Sequence, residues 1–339
     1  MKAVRIEGVK RVGVADVPVP NTDGGKKALI KVAYAGICAS DMTTWFRGSP
    51  AITLGHEFSG TIVDPGNSME FKKGDRVTAS EINSCFECDS CRRGYPNLCS
   101  QVFATATGIM TDGGIAEYVA VPTNMLFKLP DNVSFLEGAL VEPAAVALRG
   151  LHLAGFKAGD KVLVTGCGPI GIFAAANAKA LGASYVAMTE VSEERMAFPR
   201  SLPYVDGLFN ALDPELDKKL KDASETGFDV AIEATGFTAA TQTAIRALRV
   251  GGHLGILGVH ERDMVFNIPQ LMFKSIKISG DFYSLPSDFE EVISLMASGK
   301  LDIKNCATSI IPFADAQKQF ETNAAGKSLD IKVILDPSS

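Results

Sequence analysis

The chain of 339 residues contains 46% hydrophobic and 21% charged residues, a composition typical of a globular protein and not of a disordered one. Its length is about twice that of a typical domain, so we expect two domains, each with its own core. A formal net charge of −6 leaves no general basic surface, which argues against a nucleic-acid partner.

The N-terminal segment MKAVRIEGVKRVGVADVPVP alternates polar and apolar residues like a strand and lacks the apolar core of a signal peptide. No apolar run reaches the roughly 20 residues of a membrane helix, since even GALVEPAAVALRGLHLAG contains Glu142, Arg149 and His152. We therefore expect a cytoplasmic protein without a membrane partner. In that reducing compartment, closely spaced cysteines are more often metal ligands than disulfides.

Two early segments contain metal-binding residue types: AGICASD, with Cys38 and Ser40, and LGHEFSG, with His56 and Glu57. A lone cysteine or histidine would by default be a buried core residue. Together with Glu142 in LVEPAA, however, they supply a thiolate, an imidazole and two carboxylates. This set is sufficient for a mixed-ligand zinc site with an exchangeable position, which could polarise a bound oxygen.

A second candidate metal site follows in CFECDSCRRGYPNLC, whose four cysteines have the spacing C-x2-C-x2-C-x7-C: Cys85, Cys88, Cys91 and Cys99. Four thiolates fill the coordination shell of zinc, so the pattern predicts a closed, structural site. The odd total of seven cysteines argues against disulfides, and no Cys-Pro pair supports an iron-sulfur cluster. Taken alone, the pattern would also suit a nucleic-acid-binding zinc ribbon.

From Lys161 the pattern changes to strand, glycine turn and helix in KVLVTGCGPIGIFAAANAKALGA. The G-x-G-x-x-G motif, which directly follows an apolar strand, is typical of a dinucleotide-binding loop. The helix N-terminus after it offers unpaired N–H groups to a pyrophosphate. The loop residues that we expect at the cofactor are Gly166, Gly168, Pro169, Ile170 and Gly171.

The next predicted strand ends at Glu190, 24 residues after Gly166, where an acidic side chain would bind the adenosine ribose hydroxyls. A carboxylate there repels a 2′-phosphate, so we expect NAD rather than NADP. Arg195 could accept a 2′-phosphate, or it could be a surface charge of the following helix.

Further strand and helix patterns, FDVAIEATG, ATQTAIRALRV and GGHLGILG, predict an α/β domain with a doubly wound parallel sheet. The C-terminal segments DFEEVISLMASGKLD, SIIPFADAQKQFE and DIKVIL predict a helix, then a helix and a final strand. We expect neither His253 nor His260 to be a metal ligand, because no cysteine partner lies nearby in the sequence.

The motifs GICASD, GHEFSG, KKGDRV, the four-cysteine segment, GGIAEYVAVP, EPAAVAL, GCGPIG and KVIL occur in this order over essentially the whole chain. With them the chain resembles the zinc-containing medium-chain dehydrogenases, and within these the sorbitol and polyol dehydrogenase branch. The Glu-Pro pair at Glu142 points to that branch, because alcohol dehydrogenases of the superfamily usually have a cysteine near this position.

The resemblance implies that Cys38, His56 and Glu57 hold a catalytic zinc and that Glu142 completes the shell directly or through water. It also implies that Ser40 receives the proton of an alcohol. Asp41 would orient the histidine ligand, or it would only cap a helix.

Three residues between the predicted ligands depart from the family pattern or have no family role. Many relatives have a proton-relaying histidine where this chain has Thr43. Trp45 and Arg47 are candidates for the substrate cleft, the alternatives being a core aromatic and a solvated arginine. Arg47 or Arg149 could recognise an anionic group of a substrate.

The resemblance implies a GroES-like catalytic domain over residues 1–145, which includes the cysteine lobe at about 85–99, and a coenzyme domain over 146–282. Residues 283–339 would return to the catalytic domain. Thr235, Gly236 and Gly258 would lie along the nicotinamide half of the cofactor. Relatives are commonly dimers or tetramers, so a homo-oligomer is expected.

These features predict an enzyme with two zinc ions per chain that interconverts a secondary alcohol, polyol or sugar-like, and its ketone by hydride transfer to NAD. The alternatives are an NADP-dependent carbonyl reductase and a threonine-type amino-alcohol dehydrogenase. A hypothesis from another class is a non-catalytic zinc-ribbon interaction protein on a dehydrogenase scaffold, which the missing basic surface disfavours.

Overall fold

A computed structural model describes residues 1–260 and 262–339, which divide into two compact units. Unit 1 comprises Met1–Glu142, Leu285–Gly299 and Ile303–Ser339. Unit 2 comprises Pro143–Ser284 and Lys300–Asp302. None of the helices in the described part of the chain is long and apolar enough to cross a membrane.

The strands, in chain order, are β1 (Lys2–Gly8), β2 (Arg11–Asp16), β3 (Lys27–Gly36), β4 (Glu57–Asp64), β5 (Arg76–Ala79), β6 (Tyr118–Pro122), β7 (Leu126–Lys128), β8 (Lys161–Thr165), β9 (Tyr185–Glu190), β10 (Gly207–Asn210), β11 (Phe228–Glu233), β12 (Leu248–Ile256), β13 (Lys277–Gly280), β14 (Ala307–Pro312) and β15 (Lys332–Asp336).

The α-helices are α1 (Ala39–Arg47), α2 (Asp89–Arg92), α3 (Val102–Thr105), α4 (Phe135–Gly138), α5 (Val141–Leu153), α6 (Pro169–Ala180), α7 (Glu193–Arg200), α8 (Leu216–Ser224), α9 (Thr238–Ala247), α10 (Ile268–Lys274), α11 (Pro286–Ala297) and α12 (Ala316–Ala324).

Unit 1 is built on a seven-stranded sheet in the order β14-β15-β3-β4-β5-β7, with β6 also paired to β3. Strand β14 runs parallel to β15, and the other pairs are antiparallel. Strands β1 and β2 form a separate hairpin, where the sequence had indicated a single strand. The alternating pattern of β6, in which Val119 and Val121 are buried, is typical of a sheet with one face on a core.

Helix α1 fixes the position of Cys38, the first of the predicted metal ligands in the chain. Its N-cap residue is Cys38, whose backbone N–H donates to Oδ2 of Asp41 at 2.8 Å. The helix ends at Gly48, which has φ 67° and lies so close to the backbone of Val9 that a Cβ would collide with it. The chain between β3 and β4 is therefore fixed at both ends of a short helix.

Unit 2 contains a six-stranded sheet, entirely parallel, in the order β10-β9-β8-β11-β12-β13. The strand order reverses between β8 and β11, which is where nucleotides bind to sheets of this kind. The prediction of a doubly wound parallel sheet is confirmed. The edge strands β10 and β13 did not stand out in the sequence, because each has four residues without a buried, alternating pattern.

The C-terminal part of the chain belongs to unit 1 through α11, α12, β14 and β15. Phe289 of α11 is fully buried and stacks on Phe127 of β7, with ring centroids 4.7 Å apart and planes at 7°. Phe320 of α12 is equally buried and lies 6.0 Å from the indole of Trp45. These aromatic contacts attach the C-terminal segments of unit 1 to β7 and α1 of its N-terminal part.

Replacing Phe289 with alanine should lower the free energy of unfolding by about 3–5 kcal/mol, because it removes a fully buried ring and its stacking contact with Phe127. The matched control is Phe103→Ala, whose side chain is 65% exposed and should change stability far less. Urea unfolding of both variants measures the difference. Equal effects would contradict the packing of α11 in unit 1.

Candidate functional site

Three side chains of different chemistry converge in unit 1. The Sγ of Cys38, a ring nitrogen of His56 and a carboxylate oxygen of Glu57 all lie within 4.8 Å of one another. The register of β3 and β4, which pairs Gly36 with Glu57, brings the start of α1 beside the histidine that precedes β4. His56 and Glu57 are buried, at 3% and 1% exposure. The set of one thiolate, one imidazole and one carboxylate matches an open zinc site.

Two neighbours flank the imidazole of His56 on opposite nitrogens. The hydroxyl of Ser40 lies 3.3 Å from Nε2, and Oδ1 of Asp41 lies 3.9 Å from Nδ1. Oδ2 of Asp41 caps α1, as one of its two predicted roles requires, and Oδ1 lies on the side of the imidazole ring. The two neighbours thus lie on opposite sides of the ring, Ser40 at Nε2 and Asp41 at Nδ1.

The electrostatic surroundings of His56 favour a positive charge at this place. Burial alone would lower the pKa of His56, but the thiolate of Cys38 and the carboxylates of Asp41 and Glu142 outweigh it and raise this pKa well above its usual value. Nδ1 of His56 and Oδ1 of Asp41 are buried without a hydrogen-bond partner among the described residues. A buried group of one thiol and several carboxyl groups around an imidazole fits a divalent cation, which would neutralise their charge.

Lys332 of β15 is a site residue that the sequence analysis did not identify. Its ammonium forms an ion pair with Oε2 of Glu57 and donates to the carbonyl of Ile37 at 2.8 Å, while only 3% of the side chain is exposed. Burial acts to lower the pKa of Lys332, but Glu57 and Cys38 raise it overall. A lysine within the buried run KVIL was the only sequence feature that could have indicated this pair.

The carboxylate of Glu57 is fixed through one of its two oxygens. Lys332 takes Oε2, which also lies so close to Gly36 that a Cβ there would collide with it. The glycine in AGIC therefore makes room for the carboxylate. The ion pair with Lys332 thus fixes the carboxylate that lies within 4.8 Å of Cys38 and His56.

A buried pair of carboxylates lies next to this cluster. Glu142 is 5% and Glu81 1% exposed, and the two carboxyl groups are close enough to influence each other's protonation. Burial and the neighbouring Glu81 raise the pKa of Glu142 well above its usual value. Glu142 is not among the ligand atoms within 4.8 Å of one another in the described residues, and Glu81 was not identified from the sequence.

The candidate cleft residues of α1 have different environments. Trp45 is 3% exposed, packs in the core of unit 1 and contacts Phe320, so the core interpretation is correct and a place in the substrate cleft is not. Thr43 and Arg47 are exposed on the helix surface. In unit 2, Nε of Arg149 donates to Asp281 at 2.7 Å, which commits this guanidinium to an ion pair inside the protein.

The four cysteines of the lobe form a second cluster: Cys85, Cys88, Cys91 and Cys99. Four of their Sγ–Sγ distances lie between 3.5 and 4.0 Å. A tetrahedron with zinc–sulfur bonds of about 2.3 Å has edges of about 3.8 Å, so the cluster fits a four-thiolate zinc site. Backbone N–H groups of Ser100 and Cys91 lower the pKa of the Cys88 thiol to about 5, which favours the thiolate that a metal requires.

In unit 2 the three glycines of the loop after β8 have distinct environments. Gly166 has φ 98°, a backbone conformation that other residues adopt only with strain. A Cβ on Gly171 would collide with the carbonyl of Gly166. A Cβ on Gly168 would meet nothing within 4 Å, so this residue faces open space at the N-terminus of α6. Pro169 and Ile170 form the first turn of this helix, which has no side-chain cap.

Glu190, at the end of β9, lies beside this loop. Its carboxylate accepts hydrogen bonds from the backbone N–H groups of Cys167 at 3.0 Å, Val191 at 2.8 Å and Ser192 at 3.1 Å. A cavity beside it is lined by the glycine loop, by Glu190 and Arg195, and by the exposed apolar side chains Leu212 and Phe237. This combination of a carboxylate and an apolar wall suits a nucleoside.

The loops after β11 and β12 meet at the same edge of the sheet. A Cβ on Gly258 would collide with the backbone N of Gly236, so these two turns are in direct contact. The fully buried carboxylate of Glu233 accepts a hydrogen bond from the backbone N–H of Thr235 at 2.6 Å.

His253 of β12 lies apart from these loops. Its Nε2 is hydrogen-bonded to the hydroxyl of Ser279 at 2.7 Å.

Comparison with known proteins identifies the family to which the chain belongs. The family model of the alcohol dehydrogenase GroES-like domain matches residues 24–131, and the model of the zinc-binding dehydrogenases matches residues 169–298. D-xylulose reductase A of Aspergillus niger is 32% identical over 336 residues, which covers 96% of this chain and 94% of that protein.

Two solved structures have the same fold over nearly their whole length. A zinc-binding dehydrogenase of Sinorhizobium meliloti 1021 bound to NADP is 30% identical, with a TM-score of 0.88 and 99% of both chains covered. Galactitol-1-phosphate dehydrogenase of Escherichia coli is 27% identical, with a TM-score of 0.90 over 99% of this chain and 100% of that one. The chain therefore belongs to the zinc-containing medium-chain alcohol dehydrogenases, in the branch of the sorbitol and polyol dehydrogenases.

Proposed function

We propose that the chain oxidises a secondary alcohol of a polyol or sugar-like compound to its ketone, and catalyses the reverse reaction, with NAD as the hydride acceptor. The observation that carries this proposal is the buried Cys38, His56 and Glu57 cluster with the hydroxyl of Ser40 beside it. The relatives named for xylulose and galactitol 1-phosphate support a polyol as the substrate class.

In this proposal unit 1 is the catalytic domain and unit 2 the coenzyme domain. Cys38, His56 and Glu57 hold the catalytic zinc, and Glu142 completes its surroundings directly or through water. When bound, zinc supplies Lewis-acid chemistry that lowers the pKa of an alcohol oxygen. The four cysteines of the lobe hold a second, structural zinc, which gives two ions per chain.

The residues around the cluster position its ligands and move a proton. Asp41 orients the imidazole of His56 through Nδ1, and Lys332 holds Glu57 through Oε2. The Oγ of Ser40 accepts the proton of the substrate hydroxyl and releases its own hydroxyl proton outward. Thr43 is exposed on the same helix, where its hydroxyl can pass a proton onward only through water or a cofactor ribose.

NAD is preferred because the carboxylate of Glu190 faces the expected position of the adenosine ribose. Arg195 lines the same cavity, and a relative of known structure binds NADP, so the second candidate is an NADP-dependent carbonyl reductase. The carboxylate disfavours this alternative through repulsion of a 2′-phosphate.

We further propose a cytoplasmic homo-oligomer. The closely spaced cysteines are arranged as metal ligands, which suits a reducing compartment. Helix α10 has no buried residues, and its Met272 and Phe273 are 69% and 84% exposed. It precedes the edge strand β13, and an open edge beside an apolar surface suits pairing with a second copy about a two-fold axis.

Replacing Cys38 with serine should remove one of the two zinc ions per chain and lower the turnover of polyols by about 10³-fold, because several kcal/mol of Lewis-acid stabilisation are lost. Zinc content and NAD reduction across polyols, sugar phosphates and simple secondary alcohols are measured on the same samples. Cys306→Ser, a buried cysteine outside both clusters, is the control. A Cys38→Ser variant with full zinc and full turnover would refute the proposal.

Replacing Glu190 with glutamine should shift the ratio of NADP to NAD affinity by about tenfold towards NADP, since the variant no longer carries the charge that repels the 2′-phosphate. The measurement is a fluorescence titration with NADH and NADPH. Glu194→Gln, an exposed acid of α7, should leave the ratio unchanged. An unchanged ratio in the Glu190 variant would assign the choice of cofactor to other residues.

Replacing Phe273 with aspartate should shift the protein to a smaller species in sedimentation velocity, because a charge in an apolar contact between copies is left without a partner. Phe103→Asp, an exposed phenylalanine of α3, should leave the oligomer intact. A wild-type protein that sediments as a monomer would contradict the oligomer.

A further inference from the structure

The loops after β11 and β12 are joined by a side-chain pair for which the sequence analysis gave no role. Nε2 of His260 lies 3.1 Å from Oε2 of Glu233, and the side chains of the two residues are 16% and 0% exposed. The same nitrogen is 3.5 Å from the hydroxyl of Thr241. His260 is thus held in one orientation by a buried carboxylate.

The pair fixes which nitrogen of the imidazole carries the proton. An ionised carboxylate only accepts hydrogen bonds, so Nε2 of His260 is the donor towards Glu233. Glu233 is at the same time anchored by the backbone N–H groups of Thr235 at 2.6 Å and Gly236 at 3.0 Å. In the neutral ring, Nδ1 of His260 is consequently an acceptor.

His260 also lines a cavity at the carboxyl edge of the parallel sheet. Its other lining residues include Thr235, Gly236, Phe237 and Val259, all of which belong to the loops after β11 and β12. The glycine loop follows β8, and Glu190 ends β9, on the other side of the point where the strand order reverses. A dinucleotide that places its adenosine at Glu190 extends its second nucleoside towards β11 and β12.

We infer that His260 is a cofactor-contact residue, whose Nδ1 accepts a hydrogen bond from the nicotinamide nucleoside. This inference rests on the proposed use of a nicotinamide cofactor by unit 2. The nucleoside offers two kinds of donor, the ribose hydroxyls and the carboxamide N–H. Glu233 acts through His260 and is a positioning residue.

The test separates the contact of Nδ1 with the cofactor from the hydrogen bond between Nε2 of His260 and Glu233. In His260→Gln the side-chain amide can still donate to Glu233 from the place of Nε2, but the acceptor at the place of Nδ1 is lost. In His260→Asn an oxygen remains near the place of Nδ1. Fluorescence titration with NADH should show about tenfold weaker binding by His260→Gln, the effect of one hydrogen bond, and a smaller loss in His260→Asn.

AMP serves as the ligand that lacks the nicotinamide half. Its affinity, measured by calorimetry, should be the same in the wild type and in both variants, which also shows that they are folded. The matched control is His253→Gln, because this histidine of β12 bonds Ser279 and does not line the cavity. That variant should bind NADH like the wild type.

A reduced cofactor with an acetyl group in place of the carboxamide identifies the donor. If His260→Gln weakens binding of this analogue as much as that of NADH, the ribose hydroxyl is the donor. If the difference disappears with the analogue, the donor is the carboxamide. Either result supports the contact.

Three results would overturn the inference. Unchanged NADH binding by His260→Gln would mean that the ring makes no contact with the cofactor. A parallel loss of AMP binding would assign a purely structural role to His260. In both cases wild-type NADH binding would persist, and the proposed function would stand. A wild-type protein that binds AMP and not NADH would instead refute the proposed cofactor together with the inference.

Discussion

Concentrated negative charge in the interior of unit 1 is the constraint on which the proposed chemistry depends. The thiol of Cys38 and the carboxylates of Glu57, Asp41, Glu81 and Glu142 surround one imidazole, whereas one buried ammonium, that of Lys332, faces them. Burying unpaired charge costs several kcal/mol per group, so such a cluster persists only with protons or a cation among its members. A divalent metal ion satisfies the thiolate, the imidazole and the carboxylate together.

Unit 2, in contrast, offers positively polarised N–H groups to an anionic ligand. Unpaired N–H groups at the start of α6, with the open space at Gly168, suit an anionic pyrophosphate. Glu190 and Glu233 use their carboxylates to hold turns at the same edge of the sheet. Each carboxylate therefore shapes a loop. Glu190 also lines the cavity where a nucleoside is expected, whereas Glu233 is fully buried. In the proposed function, unit 1 therefore contains the metal-binding cluster and unit 2 the nucleotide-binding edge.

Local sequence predicted the parts of the site that are close in the chain. Cys38, His56 and Glu57 lie on either side of one short helix, and the glycine loop follows its strand directly, so spacing and residue type were sufficient. Lys332 is 275 positions from Glu57, and only the pairing of β15 with β3 brings it to the site. The burial of Trp45 could not be predicted from the local sequence either, because the indole packs against Phe320 of α12, far along the chain.

The most direct test of the central claim is the zinc-edge X-ray absorption spectrum of the purified protein. The spectrum averages over all zinc ions, so two occupied sites predict about 2.5 sulfur neighbours per zinc at about 2.3 Å, from four lobe cysteines and Cys38 shared between two ions, together with nitrogen and oxygen neighbours at about 2.0–2.2 Å. A spectrum with four sulfur neighbours and no nitrogen or oxygen shell would leave only the structural site occupied. That result would contradict a metal ion at Cys38, His56 and Glu57.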